Sequence, residues 1–217
     1  MDKKRMGIEE LFSIEMPPQA NYELPDPDML DYWNDYNQRI IFINSDIDDG
    51  IMKYVNNLYR WQYEDDKAGI KPEDRKPVTI FINSYGGDLN ICYSMISAMN
   101  AYSGVIKTVN YGTACSAAAL IFINGTRGKR YCVDMSYALL PQGSGSTGME
   151  TYEAQEAAQK NYRALINMMQ ENILKHTKID QKTWNKIKAR ENYYYPKDMI
   201  SNGLCDKIIT NISEIWK

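Results

Sequence analysis

The chain of 217 residues is long enough to fold as one domain with a substantial core. Its 44% hydrophobic and 24% charged residues are typical of a globular protein, and a net charge of −3 argues against nucleic-acid and membrane partners. No apolar run approaches the roughly 20 residues that a membrane span needs. The four cysteines lack C-x-x-C spacing and no signal peptide is predicted, which favours reduced thiols and a cytoplasmic location. The single histidine excludes a multi-histidine metal site, so neither a metal nor a cofactor is expected.

The first half of the chain predicts an arm followed by two strand-and-helix pairs. Residues 1–33 are predicted as an extended N-terminal arm, because "MPPQANYELPDPD" is rich in proline and carboxylates. Residues 34–217 are predicted as one α/β domain. The apolar run "RIIFIN" (39–44) predicts a buried strand, and "GIMKYVNNLYRWQYEDD" (50–66) has helical spacing. "VTIFIN" (78–83) predicts a second buried strand, which the turn "SYGGD" connects to the helical run "LNICYSMISAMNAY".

The second half continues the alternation of strands and helices. The run "VIKTVNY" predicts a strand that leads into the small-residue segment "GTACSAAAL" (112–120), and "KRYCVD" and "SYALL" predict two more strands. After a Gly/Ser loop, a long helix is predicted to about Lys175, with Thr147 and Glu150 spaced as a capping box. "DQKTWNKIKAR", "PKDMISNG" and "CDKIIT" predict a helix, a short helix and a strand. This alternation favours an α/β domain with a mainly parallel sheet.

Two features are expected at the carboxyl ends of neighbouring strands, where open α/β sheets place their sites. The first is "NSYGGD" (83–88), whose consecutive glycines can expose backbone N–H groups to an anion. The second is Ser116, at a strand-to-helix turn where helix N-terminal amides stabilise negative charge. Taken singly, the first is also explained as an ordinary turn and the second as a helix cap or packing residue.

Together and in this order, these segments resemble the proteolytic subunit of the caseinolytic (Clp) protease, a self-compartmentalising serine peptidase. The resemblance runs from about Pro25 to Ile209 through "RIIFINSDIDD", "IFINSYGGDLNICYSMISAM", "GTACSAAALIFINGTRGKRYCVDMSYALL", "LKHTKID" and "NGLCDKIIT". It implies a Clp protease/crotonase-like α/β fold of repeated strand-strand-helix units with a long handle helix. It also implies heptameric rings stacked in pairs, an AAA+ unfoldase as partner and polypeptide substrates.

The resemblance assigns a role to several residues of this chain. Ser116 matches the nucleophile, and Gly87 and Ala117 match the residues whose N–H groups form the oxyanion hole. Small residues suit that role, since the amides must lie about 3 Å from the oxyanion. Glu191 in "KARENYY" matches the third triad position, where the family has Asp. Tyr85 stands where the family usually has Pro.

The catalytic base of the family has no counterpart in this chain. Its position, at the end of the strand "SYALL" and before a Gln, is occupied by Pro141. The lone histidine, His176, matches a residue of the handle helix and is expected to be solvated or to cap that helix. Without an imidazole to orient, Glu191 is also explained as a surface carboxylate. A Ser–Lys dyad with Lys160 is one substitute for the base, although Glu156 four residues earlier also fits a surface ion pair with this lysine.

Three hypotheses follow from this pattern. The leading one is a catalytically impaired or inactive ring subunit, which builds a barrel alone or with active Clp-type subunits and helps to dock an ATP-driven unfoldase. The alternative is an active serine endopeptidase with a rearranged base, either a Ser–Lys dyad or a base from a neighbouring subunit. The third is acyl-thioester chemistry of the crotonase superfamily, for which the sequence shows no coenzyme A pocket.

Overall fold

A computed structural model describes residues 26–142 and 151–216 of the chain. The chain divides into two units, one ending at Asn34 and the other beginning at Asp35. Helix α1 (Pro27–Gln38) begins in the first unit and ends in the second. Most of the predicted arm lies outside the described residues, so the predicted boundary between arm and domain stays a prediction.

The expectation of an extended chain is wrong for the last residues of the predicted arm, because helix α1 begins at Pro27. The side chain of Asp26 accepts a hydrogen bond from the N–H of Asp28 at 2.9 Å, and its carbonyl accepts from Met29 and Leu30. Proline is favoured at the first helical position, where its missing N–H has no acceptor to lose. Proline here starts a helix instead of preventing one.

Strands and helices alternate along the second unit. The strands are β1 (Ile40–Ile43), β2 (Val78–Ser84), β3 (Ile106–Cys115), β4 (Arg130–Val133), β5 (Tyr137–Leu139), β6 (Tyr193–Tyr194) and β7 (Lys207–Ile209). The α-helices are α2 (Met52–Lys67), α3 (Leu89–Ala101), α4 (Ala117–Ile123), α5 (Tyr152–His176), α6 (Gln181–Ile187) and α7 (Pro196–Ser201). Short 3-10 turns lie at Asp49–Ile51, Pro72–Asp74 and Ile212–Ile215.

Within the described residues, the seven strands form one sheet. Five of them lie in the order β1-β2-β3-β4-β7, and β5 and β6 lie off this path. Neighbours in this order are parallel, and β5 pairs in parallel with the end of β3. The exception is β6, which pairs antiparallel with β5. Parallel pairing sets the carboxyl ends of β2, β3 and β5 at the same end of the sheet, where the residues that follow these strands lie close together.

The hydrophobic core is divided between the two faces of the sheet. The larger cluster packs the helices against the sheet and includes Trp61, Met95, Phe122 and Ile173. The smaller cluster on the other face includes Phe81, which stacks on Phe42 with ring centroids 4.9 Å apart. Burial on both faces explains why the central strands are continuous apolar runs instead of alternating patterns. No helix of the described residues is long and apolar enough to cross a membrane.

The predicted α/β class and mainly parallel sheet are confirmed, and two elements besides α1 differ from the prediction. β3 continues to Cys115 through the small-residue segment, so the turn begins only at Ser116. The two-residue strand β6 has no counterpart in the predicted elements. The predicted capping box of Thr147 and Glu150 lies outside the described residues; the N-cap of α5 is Thr151, whose hydroxyl accepts from the N–H of Ala154 at 3.3 Å.

Candidate active site

The turn between β3 and α4 carries Ser116 in a rare backbone conformation. Its φ is 52° and its ψ is −123°, which lies outside the helical and extended regions. The N–H of Ser116 donates to the carbonyl oxygen of Leu139 at 2.8 Å, and its own carbonyl accepts from the N–H of Ala119 at 3.0 Å. Conformations of this kind cost about 1–3 kcal/mol and persist only where the surrounding structure imposes them. The turn leaves Ser116 half-buried, while its neighbours on both sides are buried.

The glycine turn after β2 packs directly against this serine. Gly86 has φ +107°, and a Cβ placed on it would lie 2.7 Å from the Cβ of Ser116 and 3.1 Å from the backbone nitrogen of Ala117. Gly87 has φ +148°, and a Cβ there would lie 2.4 Å from the carbonyl oxygen of Ile47. The N–H of Ile47 donates to the carbonyl of Gly86 at 2.8 Å, which fixes the turn. Glycine is therefore required twice, once for the approach to Ser116 and once for the bridge to Ile47.

The structure brings together the residues that the resemblance assigns to the oxyanion hole. Neither the N–H of Gly87 nor that of Ala117 donates a hydrogen bond to a described residue. The N–H of Ala117 has no intrahelical acceptor because it is the first of α4. Two backbone donors near Ser116 therefore have no hydrogen-bond partner among the described residues, and oxyanion stabilisation uses donors of this kind.

The position expected for the base is occupied by Pro141 and lies near the nucleophile turn. β5 pairs in parallel with the end of β3, which leads into Ser116, and Pro141 follows the end of β5 by two residues. Pro141 is buried. β5 also pairs antiparallel with β6, with Leu139 opposite Tyr193. Continuing this register by two residues sets Glu191 opposite Pro141, although the regular ladder ends before that pair.

Glu191 is exposed, and its carboxylate accepts a hydrogen bond from the hydroxyl of Tyr193 at 3.3 Å. Burial raises the pKa of Cys115 to about 11, and the charge of Glu191 adds to this effect. Cys115 therefore stays a neutral thiol at neutral pH and is not a substitute nucleophile next to Ser116.

A cluster of tyrosines surrounds the site, and sequence analysis did not predict it. Tyr137 lies between Tyr193 and Tyr195, with ring centroids at 5.9 Å and 6.5 Å. Tyr85 is 72% exposed, and its electrostatic interaction with Tyr137 is the main cause of its raised pKa. A raised pKa keeps this phenol protonated at neutral pH, so Tyr85 is not a base for Ser116. These residues are far apart in the sequence, and only the folded sheet brings them together.

His176 is the last residue of α5 and lines a cavity whose lining does not include Ser116. The expectation that it is solvated is wrong: its side chain is partly buried, and its Nε2 atom is buried without a hydrogen-bond partner among the described residues. Burial lowers its pKa, and the charges of Lys175, Arg130 and Arg127 lower it further. The cap at this helix end comes from Arg130, whose guanidinium donates to the carbonyl of His176 at 2.7 Å. His176 is therefore a neutral, structural imidazole.

No group of three or more His, Cys, Asp and Glu side chains among the described residues is arranged to hold a metal ion. The residues assigned to the site are a serine, two backbone amides and a carboxylate, all of which act without a metal in acyl transfer.

The fold and the nucleophile turn define a class of protein. A mixed α/β domain with a parallel sheet, a glycine turn and a serine at the next strand end is consistent with the Clp protease fold. The sequence profile of the Clp protease family matches residues 28–212, and the chain belongs to that family.

Relatives of this family match nearly the whole chain. The ATP-dependent Clp protease proteolytic subunit of Mesostigma viride is 29% identical over 214 residues, which cover 91% of this chain and 85% of the relative. The ATP-dependent Clp protease proteolytic subunit 2 of Thermobifida fusca is 26% identical over 208 residues, which cover 95% of both chains. A chloroplastic subunit 3 from Arabidopsis thaliana is 29% identical and is matched over 62% of its own length. The family that sequence analysis identified by resemblance is confirmed.

Proposed function

We propose that this chain is a ring-forming subunit of the Clp protease type whose own peptidase activity is lost or severely impaired. Ser116 is its nucleophile, Gly87 and Ala117 are the oxyanion donors, and Glu191 is a third triad residue without an imidazole to orient. The chain acts on unfolded polypeptides as part of a barrel, in heptameric rings stacked in pairs. An AAA+ unfoldase delivers the polypeptides, and active Clp-type subunits share the barrel.

The observation that carries this proposal is Pro141, which stands at the position of the family's catalytic base. Leu139 of β5 pairs with Tyr193 of β6, and extending that register by two residues would set Glu191 opposite Pro141. β5 also pairs with the end of β3, which leads into Ser116. An imidazole at that point would connect the hydroxyl to the carboxylate, as in serine triads generally. Proline has no proton acceptor and no N–H, and the only histidine of the chain lines another cavity. Ser116 is thereby left as a neutral hydroxyl, which is a weak nucleophile.

The expected loss of activity is large. Removing the base of a serine triad lowers kcat by about 10⁶-fold, while the oxyanion hole and substrate binding retain about 10³- to 10⁴-fold acceleration over water. The two open N–H groups at Gly87 and Ala117 support the retained part. A subunit of this kind binds the acyl group of a peptide and turns it over too slowly to act as a protease.

The alternative of a Ser–Lys dyad is less well supported. A lysine acts as a base when burial removes water from its ammonium group. Lys160 is exposed on α5, so burial does not remove water from its ammonium group. A base from a neighbouring subunit is tested by the same experiment as the dyad, since both require Ser116 to react.

The deciding experiment is labelling of the purified protein with a fluorophosphonate serine probe, together with hydrolysis of short fluorogenic peptides. We expect no hydrolysis above background and no labelling that exceeds that of Ser116→Ala. Activity that is clear in the parent and absent in Ser116→Ala would instead establish an active endopeptidase with a replaced base. Lys160→Ala would then decide between the dyad and a base from a neighbouring subunit.

We also propose a cytoplasmic location. The four cysteines are free thiols in the structure, which is typical of proteins in reducing compartments. Fluorescence microscopy of a tagged full-length chain in its own cell tests this, and an organellar or exported signal would contradict it.

A further inference from the structure

Two buried thiols lie side by side at the edge of the sheet opposite β1. Cys132 is in β4, and Cys205 lies in the turn that leads into β7. Their Sγ atoms are 3.4 Å apart, and both side chains are buried. A disulfide needs a separation of about 2.05 Å, so a shift of little more than 1 Å would join the two sulfurs. The remaining cysteines, Cys92 and Cys115, have no thiol neighbour among the described residues.

A small cavity reaches Cys205 of this pair from the surface. It has a volume of about 200 Å³ and is lined by Cys205 together with Arg127, Arg130, His176 and Lys178. Arg127 and Lys178 are exposed, so the cavity opens to solvent on their side. A water molecule occupies about 30 Å³ of liquid, and hydrogen peroxide is only slightly larger. The cavity therefore has room for a peroxide molecule beside Cys205.

The surroundings of the pair favour ionisation of one sulfur. A hydrogen bond from the thiol of Cys205 lowers the pKa of Cys132, because the donated proton stabilises a thiolate. The same hydrogen bond and burial raise the pKa of Cys205, so Cys205 holds the shared proton, and the charge of Arg130 opposes this only in part. Arg130 and Asp206 are themselves paired, with nitrogen and oxygen 2.6 Å apart, so the charge of neither acts alone. The cavity adds Arg127 and Lys178, which makes its potential positive overall.

We propose that Cys132 and Cys205 form a peroxide-sensitive dithiol that closes to a disulfide when the protein is oxidised. In the first step, the thiolate of Cys132 takes the proton that the thiol of Cys205 donates, and the sulfur of Cys205, which lines the cavity, attacks one oxygen of hydrogen peroxide. The O–O bond breaks, a sulfenic acid forms on Cys205, and the departing hydroxide takes the proton from Cys132 and leaves as water. In the second step, the thiolate of Cys132 attacks the sulfenic sulfur. The S–S bond forms, the S–O bond breaks, and the departing hydroxide takes a proton from solvent and leaves as a second water.

The disulfide would fasten the edge of the sheet. β7 has three residues, and β4 is its only strand neighbour within the described sheet. Residues after it form the 3-10 turn Ile212–Ile215, and Trp216 lies near Phe81 with ring centroids 6.2 Å apart. A covalent link from β4 to the turn before β7 holds this C-terminal segment when β7 detaches. Short edge strands are the first to open, so the link acts where the fold is weakest.

The test uses the full-length protein, folded and reduced, with hydrogen peroxide added in small excess. Tryptic peptide mapping without reduction is expected to yield a linked pair of peptides, one beginning at Tyr131 and the other ending at Lys207. The pair should have lost the mass of two hydrogen atoms and should separate on reduction. Cys132→Ser and Cys205→Ala should each abolish it. Cys92→Ser and Cys115→Ser are matched controls with buried thiols, and they should leave it unchanged.

Stability provides the second readout. The oxidised protein should unfold at higher urea concentration than the reduced protein, and reduction should remove the gain. Cys132→Ser and Cys205→Ala should show no gain on oxidation, which separates the effect of the link from any loss of stability caused by substitution. Oxidised folded protein without the linked peptides overturns the proposal. Linkage that appears only after unfolding in urea overturns it as well, since the folded pair would then not be reactive.

Discussion

Restoring a histidine at position 141 is the sharpest test of the candidate active site. Pro141→His introduces an imidazole on the segment after β5, the strand that pairs with the end of β3 before Ser116 and with β6, which follows Glu191 by two residues. The two open N–H groups beside Ser116 need no change. If the turn still forms a working pocket, one substitution should return part of the activity.

The expected gain follows from the geometry of the partners. A well-placed base is worth about 10⁶-fold in kcat. Glu191 is one methylene longer than aspartate and is hydrogen-bonded to Tyr193, so the imidazole is expected about 1 Å from its best position. Such a displacement costs about 10²-fold, which leaves a gain of about 10⁴-fold for Pro141→His. Adding Glu191→Asp to Pro141→His should recover up to about another 10²-fold in kcat. The double mutant should gain more than the two single changes together, because members of one catalytic unit act non-additively.

The assay is the rate of fluorophosphonate labelling, followed by hydrolysis of short fluorogenic peptides. Pro141→Ala is the matched control, since it removes the same buried proline without adding a base. It should lose about 1 kcal/mol of stability, as Pro141→His does, and gain no activity. Ser116→Ala in the double-mutant background should abolish labelling. A double mutant that stays folded and oligomeric but unlabelled would refute the reasoning, because the pocket would then have lost more than its base.

Three further predictions follow from the described contacts. Gly86→Ala should lower the free energy of unfolding by about 3 kcal/mol, because its Cβ would lie 2.7 Å from that of Ser116. The control Gly69→Ala, with open space around it, should cost about 1 kcal/mol in the same urea titration, and equal costs would contradict the argument. Burial alone would raise the pKa of Asp206, but the hydrogen bonds and charge of Arg130 lower it overall. The stability it contributes is therefore present above about pH 4 and lost below it, so Asp206→Asn should cost about 2 kcal/mol at pH 7. The difference in free energy of unfolding between the parent and Asp206→Asn should shrink as the pH falls through the pKa of the folded Asp206 carboxyl. A difference that stays constant between pH 7 and pH 3 would contradict this. Light scattering should give a mass several times that of the 25.1 kDa chain, and a monomer at micromolar concentration would contradict the proposed ring.

Periodicity predicted the elements whose burial is one-sided or complete. β1 and β2 are short apolar runs, because burial in the sheet requires apolar side chains at most of their positions. Helix α1 was not predicted, because Pro27 was interpreted as part of a proline-rich arm although Asp26 provides an N-cap. β6 is two residues long and exists through its pairing with β5, so no local pattern indicates it.

The part of the candidate site that follows directly from the ends of the strands could be predicted from the sequence. Parallel strands bring the glycine turn and Ser116 to one edge of the sheet, and the order of these segments in the chain is enough to infer it. The tyrosine cluster, the neutral His176 and the contact of Cys132 with Cys205 depend on residues distant in sequence. Their spacing carries no periodic signal, and only the packing of α5, β6 and β7 on the sheet determines them.

The backbone turn that carries Ser116 and the position of the missing base, residue 141, depend on different contacts in the molecule. The strained turn of Ser116 is fixed by the carbonyl of Leu139 and by the approach of Gly86, which in turn is fixed by Ile47. These are backbone contacts of the sheet, and they contribute to folding whatever residue stands at position 141. The base would be one side chain on the segment after β5, and no described strand pairing depends on it. A chain can therefore carry proline at position 141 with the turn of Ser116 intact. Its capacity to fold is physically separable from the peptidase activity that a base at this position would support.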